Sequence, residues 1–432
     1  MKVAMIIPND GSVSADILKN EKWEHLWEFQ ARKRLWSSPS LSLLTIAGML
    51  PKDFDVDYID LNYNRRITEQ YELVFMSPST PQTEAAYCLA DELRANGTKV
   101  VMGGIHATVL PDEVLKHADT VFIGESEDTF SLFLSDLSER STSRIYRSVQ
   151  LPDLTVSPVP RYDLIRDYSY KSIPIQTSRG CPHQCDFCAS SAIYGKKYRR
   201  KSIEQVKREL DAIVGIWPKP FIFFTDDNMF IDPRYSMELL KLLKQYGVRW
   251  YAFTDASVAN KPELLKEMRL SGCSQLLIGF ESLSNENLAQ VDSAMWKRRK
   301  REDYARIIEI IQSHGIGVVG SFVLGFDADN VQTFEELYDF ILETRLYATN
   351  ITILTPFPGT SIHDKFVKDD RLVTKSWSSY NGFELTFKLR QLTHDEFIEA
   401  YDKLNERLNS RERIHQVING FKKIYGKKEQ MI

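Results

Sequence analysis

Residues 178–188 read Ser178-Arg179-Gly180-Cys181-Pro182-His183-Gln184-Cys185-Asp186-Phe187-Cys188, with three cysteines in a CxxxCxxC spacing. Thiolates this close together can hold a metal without help from elsewhere in the chain. A structural zinc site wants four ligands, and His183 is a conceivable fourth. It lies inside the short Cys181–Cys185 loop, however, where reaching the same tetrahedron is strained. A 4Fe-4S cluster is the better chemical fit, because Cys181, Cys185 and Cys188 then fill three of its four iron corners. The remaining iron is open to a substrate, which argues for catalysis over simple electron transfer.

The loop follows a β-rich run, Ile173–Ser178. Similar runs recur at Phe221–Thr225, Arg249–Thr254, Gln275–Phe280, Val318–Leu324 and Asn350–Leu354, with helical patterns between them. The helices carry their own punctuation. Ser202 with Gln205, and Thr333 with Glu336, form capping boxes; Asp232 before Pro233 opens a helix, and Gly247, Gly272 and Gly315 fall where helices stop. Repeated units of this kind predict a β/α barrel with its active site at the C-terminal ends of the strands. Six strands leave it open, as a partial (β/α)6 barrel.

A CxxxCxxC loop with an aromatic residue before its last cysteine, placed after the first strand of such a barrel, resembles the radical S-adenosylmethionine (SAM) superfamily. The resemblance implies a 4Fe-4S cluster on Cys181, Cys185 and Cys188, with SAM chelated at the open iron and cleaved to a 5'-deoxyadenosyl radical. It also implies that Thr225, Asp226 and Asp227 hold the methionine amine, and that Glu281 and Ser282 contact the cofactor. The segments Gly320–Gly325 and Thr355–Gly359, with Leu324, Gly325 and Pro356, would enclose the adenine beside Phe187. Arg179 and Arg199 are either contacts to the cofactor carboxylate or ordinary surface residues. Asp226 and Glu281 have a plain alternative as caps or ion-pair partners.

In front of the barrel, β-rich runs at Val3–Ile7, Val56–Leu61, Leu73–Met76, Lys99–Met102 and Thr120–Ile123 alternate with helical segments at Leu41–Leu50, Gln82–Ala95 and Glu127–Leu137. This predicts a flavodoxin-like, doubly wound parallel sheet that binds ligands beyond the carboxyl ends of its strands. Those ends read Pro8-Asn9, Asp60, Ser77-Pro78-Ser79-Thr80, Gly103-Gly104-Ile105-His106 and Gly124-Glu125. Taken alone they are either turns and caps or a ligand cradle. The unit resembles the cobalamin-binding domain that precedes the radical domain in one subgroup of the superfamily, which implies cobalamin at these strand ends. A DxHxxG motif is absent, so a bound cobalamin would be base-off without a protein histidine; otherwise the domain has kept its shape and lost the cofactor. For His106 a hydrogen bond to the backbone is expected, not cobalt ligation.

The Pro-rich segment Leu151–Arg161 marks a boundary. The expected organisation is a front domain at 1–145, a linker at 146–170, the barrel at 171–365 and a small, mainly helical region at 366–432. In the last of these, Thr393 with Glu396 opens an amphipathic helix carrying Phe397, Tyr401, Leu404 and Leu408, preceded by Trp377, Tyr380 and Phe383, which are either core-filling residues or substrate contacts.

A net charge of -4 across 432 residues gives no global pull toward nucleic acid or anionic membrane. No stretch approaches the roughly 20 apolar residues of a membrane span. The N-terminus reads as a buried strand, and a cytoplasmic enzyme is expected. Cys88 and Cys273 stand apart from the motif and read as small buried residues. The run Lys297-Arg298-Arg299-Lys300-Arg301 reads as the solvated start of a helix, the alternative being a patch that meets a phosphorylated substrate or an acidic carrier protein.

The function implied by both resemblances together is methylation of an unactivated carbon of a small-molecule or natural-product substrate. The electron would come from a reducing donor such as a flavodoxin or ferredoxin. Radical cyclisation, rearrangement or oxidation is the enzymatic alternative, with or without cobalamin, and a non-catalytic iron-sulfur or zinc module the alternative outside catalysis.

Overall fold

The protein is described by a computed structural model covering residues 1–9, 38–63, 65–183, 185–291 and 296–426. The front sheet is built from β1 (Lys2–Ile7), β2 (Asp55–Asp60), β3 (Leu73–Met76), β4 (Lys99–Met102), β5 (Thr120–Ile123) and β6 (Ile145–Arg147). All pair in parallel, in the order β2-β1-β3-β4-β5-β6. Every residue of β3 and β5 is buried, as expected of strands covered by helices on both faces. The order reverses between β1 and β3, so the ligand crevice of this fold lies beside Pro8, Asn9 and Ser77–Thr80. The edge strand β6 was not anticipated. It is three residues long and buries only Tyr146, whose ring stacks on Phe122 at 5.2 Å between centroids.

The second sheet contains β7 (Ile173–Ile175), β10 (Phe221–Phe224), β11 (Arg249–Thr254), β12 (Cys273–Glu281), β13 (Gly317–Leu324) and β14 (Ala348–Ile353). They run in parallel in sequential order from β7 to β14, an open barrel of six strands. The predicted strand Ile173–Ser178 is broken. Its end leaves the sheet as β8 (Ser178–Arg179) and pairs antiparallel with β9 (Arg199–Arg200), opposing Arg179 to Arg199. The break has a specific cause: the Thr177 amide donates to the Asp226 carboxylate at 3.0 Å in place of a ladder partner.

The Ser202–Gln205 and Thr393–Glu396 capping boxes form as expected, and Asp232 caps its helix. The box expected at Thr333–Glu336 instead joins Asn330 to Thr333, because the chain enters that helix at Val331. Phe397, Leu404 and Leu408 are buried, and the Tyr401 hydroxyl donates to the Ile351 carbonyl, fastening the last region to β14. Cys273 is buried, whereas Cys88 is exposed. On its helix, Thr83–Ala95, the inward face is taken by Ala86, Tyr87, Ala90 and Leu93, which turns Cys88 outward. Among the described residues no helix is long and apolar enough to cross a membrane.

The front domain and the chain after β14 meet along a seam. Gly359, in the turn after β14, has φ +83°, and a Cβ there would stand 2.5 Å from Val109 Cγ1 of the front domain. Trp377 reaches the same domain, donating from its ring nitrogen to Glu113 at 2.7 Å and from its backbone to Glu84 at 2.8 Å.

Candidate active site

The cysteine loop springs from the β8–β9 ribbon. Gly180, at φ +89°, lets the chain pass so close to Lys197 that a Cβ would lie 2.4 Å from the Lys197 carbonyl oxygen, and Cys181 donates to the Gly195 carbonyl. Cys181, Cys185 and Cys188 are each half-buried. Burial pushes the Cys181 thiol up to about 11, so only a bound metal would hold it as thiolate at neutral pH. The His183 ring nitrogen is hydrogen-bonded to Asp255 at 3.0 Å, which ties the one candidate fourth zinc ligand away from the thiols. Among the described residues no three His, Cys, Asp or Glu side chains converge on a single-ion site. The three thiols suit a cluster, where each binds a different iron.

Two adjacent aspartates strap the start of the loop. Asp226 is fully buried, and its carboxylate accepts from the Thr177 amide at 3.0 Å, the Thr177 hydroxyl at 2.6 Å and the Ser178 hydroxyl at 2.5 Å. Asp227 accepts from the Gly180 amide at 3.0 Å. Burial raises both carboxyls above their usual range, against the hydrogen bonds that lower them. Asp226 is thus enclosed by the chain that leaves the adjacent strand β7, and Thr225 directs its hydroxyl to the Ile175 carbonyl at 3.4 Å.

At the end of β12, Glu281 adopts φ +66° beside an irregularity in the strand register, a conformation rare outside glycine. Its carboxylate pairs with Lys297, which also donates to the Gly279 carbonyl. The basic run is therefore not wholly solvated: Lys297 is turned inward and buried. Burial pulls its ammonium down while Glu281 pulls it up, and the pairing wins. Ser282 accepts from the Ser284 amide at 3.1 Å.

At the end of β13 Leu324 is buried, and beyond it the amides of Gly325 and Phe326 donate to Asp329 at 2.8 Å and 3.0 Å. Asn287 donates to the other Asp329 oxygen at 2.7 Å. Residues around Asp329 and Asn287 were not anticipated; the Asp329-Asn330 pair after a Gly-Phe turn was the available signal. Phe187 packs against Phe326 with centroids 6.2 Å apart, and the Ile362 amide donates to the Asp186 carbonyl, joining the cysteine loop to the turns after β13 and β14. A cleft lined by Asp186, Gln290, Phe326, Asp327 and Lys365 lies there. Pro356 is buried in the turn after β14.

At the front-domain strand ends, Ser79 caps a short turn with Gln82, and Gly104, at φ +91°, closes on Ser77 so tightly that a Cβ would lie 2.6 Å from its hydroxyl oxygen. Pro8 and Pro78 are buried; Gly103, Ile105 and Gly124 are half-buried, and Asn9 is exposed. His106 is fully buried, and its partners are side chains, not the expected backbone. Nδ1 lies 3.4 Å from the Thr80 hydroxyl and Nε2 lies 3.6 Å from Glu113, with Trp377 edge-on to the ring. The Gly104 φ begins a short helix here, carrying His106 inward under Trp377.

Glu125 and Arg199, expected at two different cofactors, face each other. Arg199 donates from both terminal nitrogens to Glu125, at 3.0 and 2.5 Å, while Arg179 donates to the same carboxylate at 2.5 Å and pairs with Glu127 at 2.7 Å.

The chain matches the model of the radical SAM superfamily over residues 175–341 and that of the B12 binding domain over 34–134. The bacteriochlorophyllide d C-12(1)-methyltransferase of Chlorobaculum tepidum is 30% identical over 378 residues, covering 85% of this chain and 82% of that protein. The chain belongs to the cobalamin-dependent radical SAM family. A second methyltransferase of Chlorobaculum tepidum, acting at C-8(2) of bacteriochlorophyllide d, is 27% identical over 81% of this chain and 80% of its own length. The radical SAM methyltransferase TsrM of Kitasatospora setae shares the fold, with a TM-score of 0.68 at 15% identity, over 93% of this chain and 88% of that one. Members of the cobalamin-dependent radical SAM family use a 4Fe-4S cluster, SAM and cobalamin, take small-molecule substrates and need a reductant.

Proposed function

We propose that the protein methylates an unactivated carbon of a small-molecule or natural-product substrate. The observation that carries this reading is the contact between Glu125, at a front-domain strand end, and Arg179 and Arg199, at the neck of the cysteine loop. It sets the C-terminal ends of both sheets against one another, where such folds place ligands. When bound, the cluster and SAM supply a carbon radical and cobalamin supplies a methyl group. The chain's part is placement and shielding, since a primary radical attacks whichever hydrogen lies nearest.

In this reading Cys181, Cys185 and Cys188 hold the cluster. Thr225, Asp227, Ser282, Leu324, Gly325 and Pro356 line the SAM site with Phe187 at its adenine end. Asp226 and Glu281, each with a buried partner, shape that site from behind. Pro8, Asn9, Ser77, Pro78, Ser79, Thr80, Gly103, Gly104, Ile105 and Gly124 form the cobalamin face, with His106 beneath it. The electron donor would be a flavodoxin or ferredoxin, and the cytoplasm, where thiols stay reduced, suits such a cluster. The relatives named as acting on bacteriochlorophyllide make a reduced tetrapyrrole the first substrate to try.

The test is incubation of reduced, cluster-loaded protein with cobalamin, SAM labelled in its methyl group, and candidate substrates. Label appearing on a carbon of the product is expected. A product that forms with 5'-deoxyadenosine yet carries no label would replace methylation with cyclisation, rearrangement or oxidation.

A further inference from the structure

The cysteine loop is closed at its base by two residues on each side, β8 and β9, which place Arg179 directly opposite Arg199. One carboxylate grips both sides. Glu125 Oε2 accepts from Arg179 and Arg199, and Oε1 accepts from Arg199 again. The side chains of Glu125, Arg179 and Arg199 are 4%, 12% and 7% exposed, so solvent screens them little. Glu127 completes the charge balance on Arg179, with Ser157 donating to it, and the Pro152 carbonyl accepts from Arg199. Two guanidiniums thus meet two carboxylates in a box that spans the front domain, the linker and the loop.

We infer that Glu125 is a positioning residue for the cluster, a front-domain staple across the neck of the loop that carries all three cysteines. Arg179 is two residues before Cys181, and Gly180 between them is fixed from the other side by Asp227. With both ends of the loop held by one side chain of the cobalamin-type domain, the spacing of cluster and front-domain strand end is set by a bidentate contact instead of by loose packing. The inference rests on the cluster assignment but not on methyl transfer, and spectroscopy tests it apart from turnover.

The experiment compares full-length, cluster-reconstituted wild type with Glu125→Gln, Glu125→Asp and Glu127→Gln. Glu125→Gln leaves the arginine pair one negative charge short, and an added positive charge near a cluster favours its reduced form. A midpoint potential raised above wild type is expected, with a weakened SAM-induced change in the electron paramagnetic resonance spectrum and cobalamin uptake within about twofold of wild type. Glu125→Asp keeps the charge and shortens the reach, so the potential should hold while the SAM-induced change weakens. Glu127→Gln raises the potential but keeps the grip on both strands, so the SAM-induced change should persist. Cobalamin affinity lowered tenfold or more in Glu125→Gln, with unchanged potential and spectrum, would make Glu125 a cobalamin contact and overturn the inference. Wild-type behaviour in all measurements would overturn it too. If Glu125→Gln does not fold, Glu125→Asp decides alone: a weakened spectral change at constant potential supports the staple, and an unchanged spectrum refutes it.

Discussion

The Lys297 ammonium and the Glu281 carboxylate form a buried ion pair at the end of β12, where Glu281 takes a left-handed backbone conformation. Removing one partner leaves the other charged in a site that water hardly reaches, at a cost of about 3–5 kcal/mol. Lys297→Met and Glu281→Gln should each destabilise the fold by that order. The double variant Lys297→Met/Glu281→Leu should recover much of the loss. Denaturant unfolding of the three variants checks this, and equal losses in the single and double variants would contradict it.

Thiol accessibility separates the five cysteines. Cys88 should react rapidly with a maleimide in the folded protein, while Cys273, fully buried, should react only on unfolding. Alanine at Cys181, Cys185 or Cys188 should abolish the cluster absorbance and iron content. Alanine at Cys88 or Cys273 should spare both. Retention of a full cluster in any of the three motif variants would remove that residue from the ligand set.

Burial raises the Asp329 carboxyl to about 6, in spite of the amides of Gly325 and Phe326 and the Asn287 side chain that lower it. Between about pH 4 and pH 6 the folded chain therefore keeps a proton that the unfolded chain has released. The contribution of this group to stability falls as pH rises through that window, by up to about 3 kcal/mol, and is level above it. Asp329→Asn should flatten this slope. Urea unfolding across the window, in wild type and variant, measures the difference, and identical pH profiles would show that Asp329 titrates normally.

His106 is enclosed by Thr80, Glu113 and Trp377, and burial lowers its pKa while Glu113 opposes this. It is held as a packing residue beneath the proposed cobalamin face. Cobalamin bound to the protein should show a base-off absorbance spectrum, unchanged in His106→Ala apart from weaker overall stability. A spectral change confined to the cobalt bands in that variant would instead make His106 an axial ligand.

The strands and the cysteine loop were legible because they depend on local pattern. Apolar runs such as Leu73–Met76 and Arg249–Thr254 have the length and flanks of buried parallel strands, and the cysteine spacing lies within eight residues. What was not legible depends on partners far away in the chain. Glu125 meets Arg179 across 54 residues and Arg199 across 74, and nothing local marks them as a pair. Lys297 sits in a charge run whose other members mask its inward turn. The break after Ile175 depends on Asp226, about fifty residues on, capturing an amide that strand pattern assigns to a ladder. Cys88 was misplaced because a lone cysteine carries no periodicity of its own; only its helical neighbours show which way it faces.

The absent side chain at Gly359 has a mechanical consequence. Val109 of the front domain rests directly on that backbone, so the two halves of the molecule touch where one has been planed flat. Any larger residue at 359 would be strained at its φ of +83° and would have to push the Val109 side chain aside. The seam is thus closest-fitting at a single position far in sequence from the cysteines, beside the polar contacts of Glu125 and Trp377 that also join the two parts. A graded series at 359, from Ala to Val to Phe, would therefore measure how much displacement of Val109 the seam tolerates before the two parts loosen.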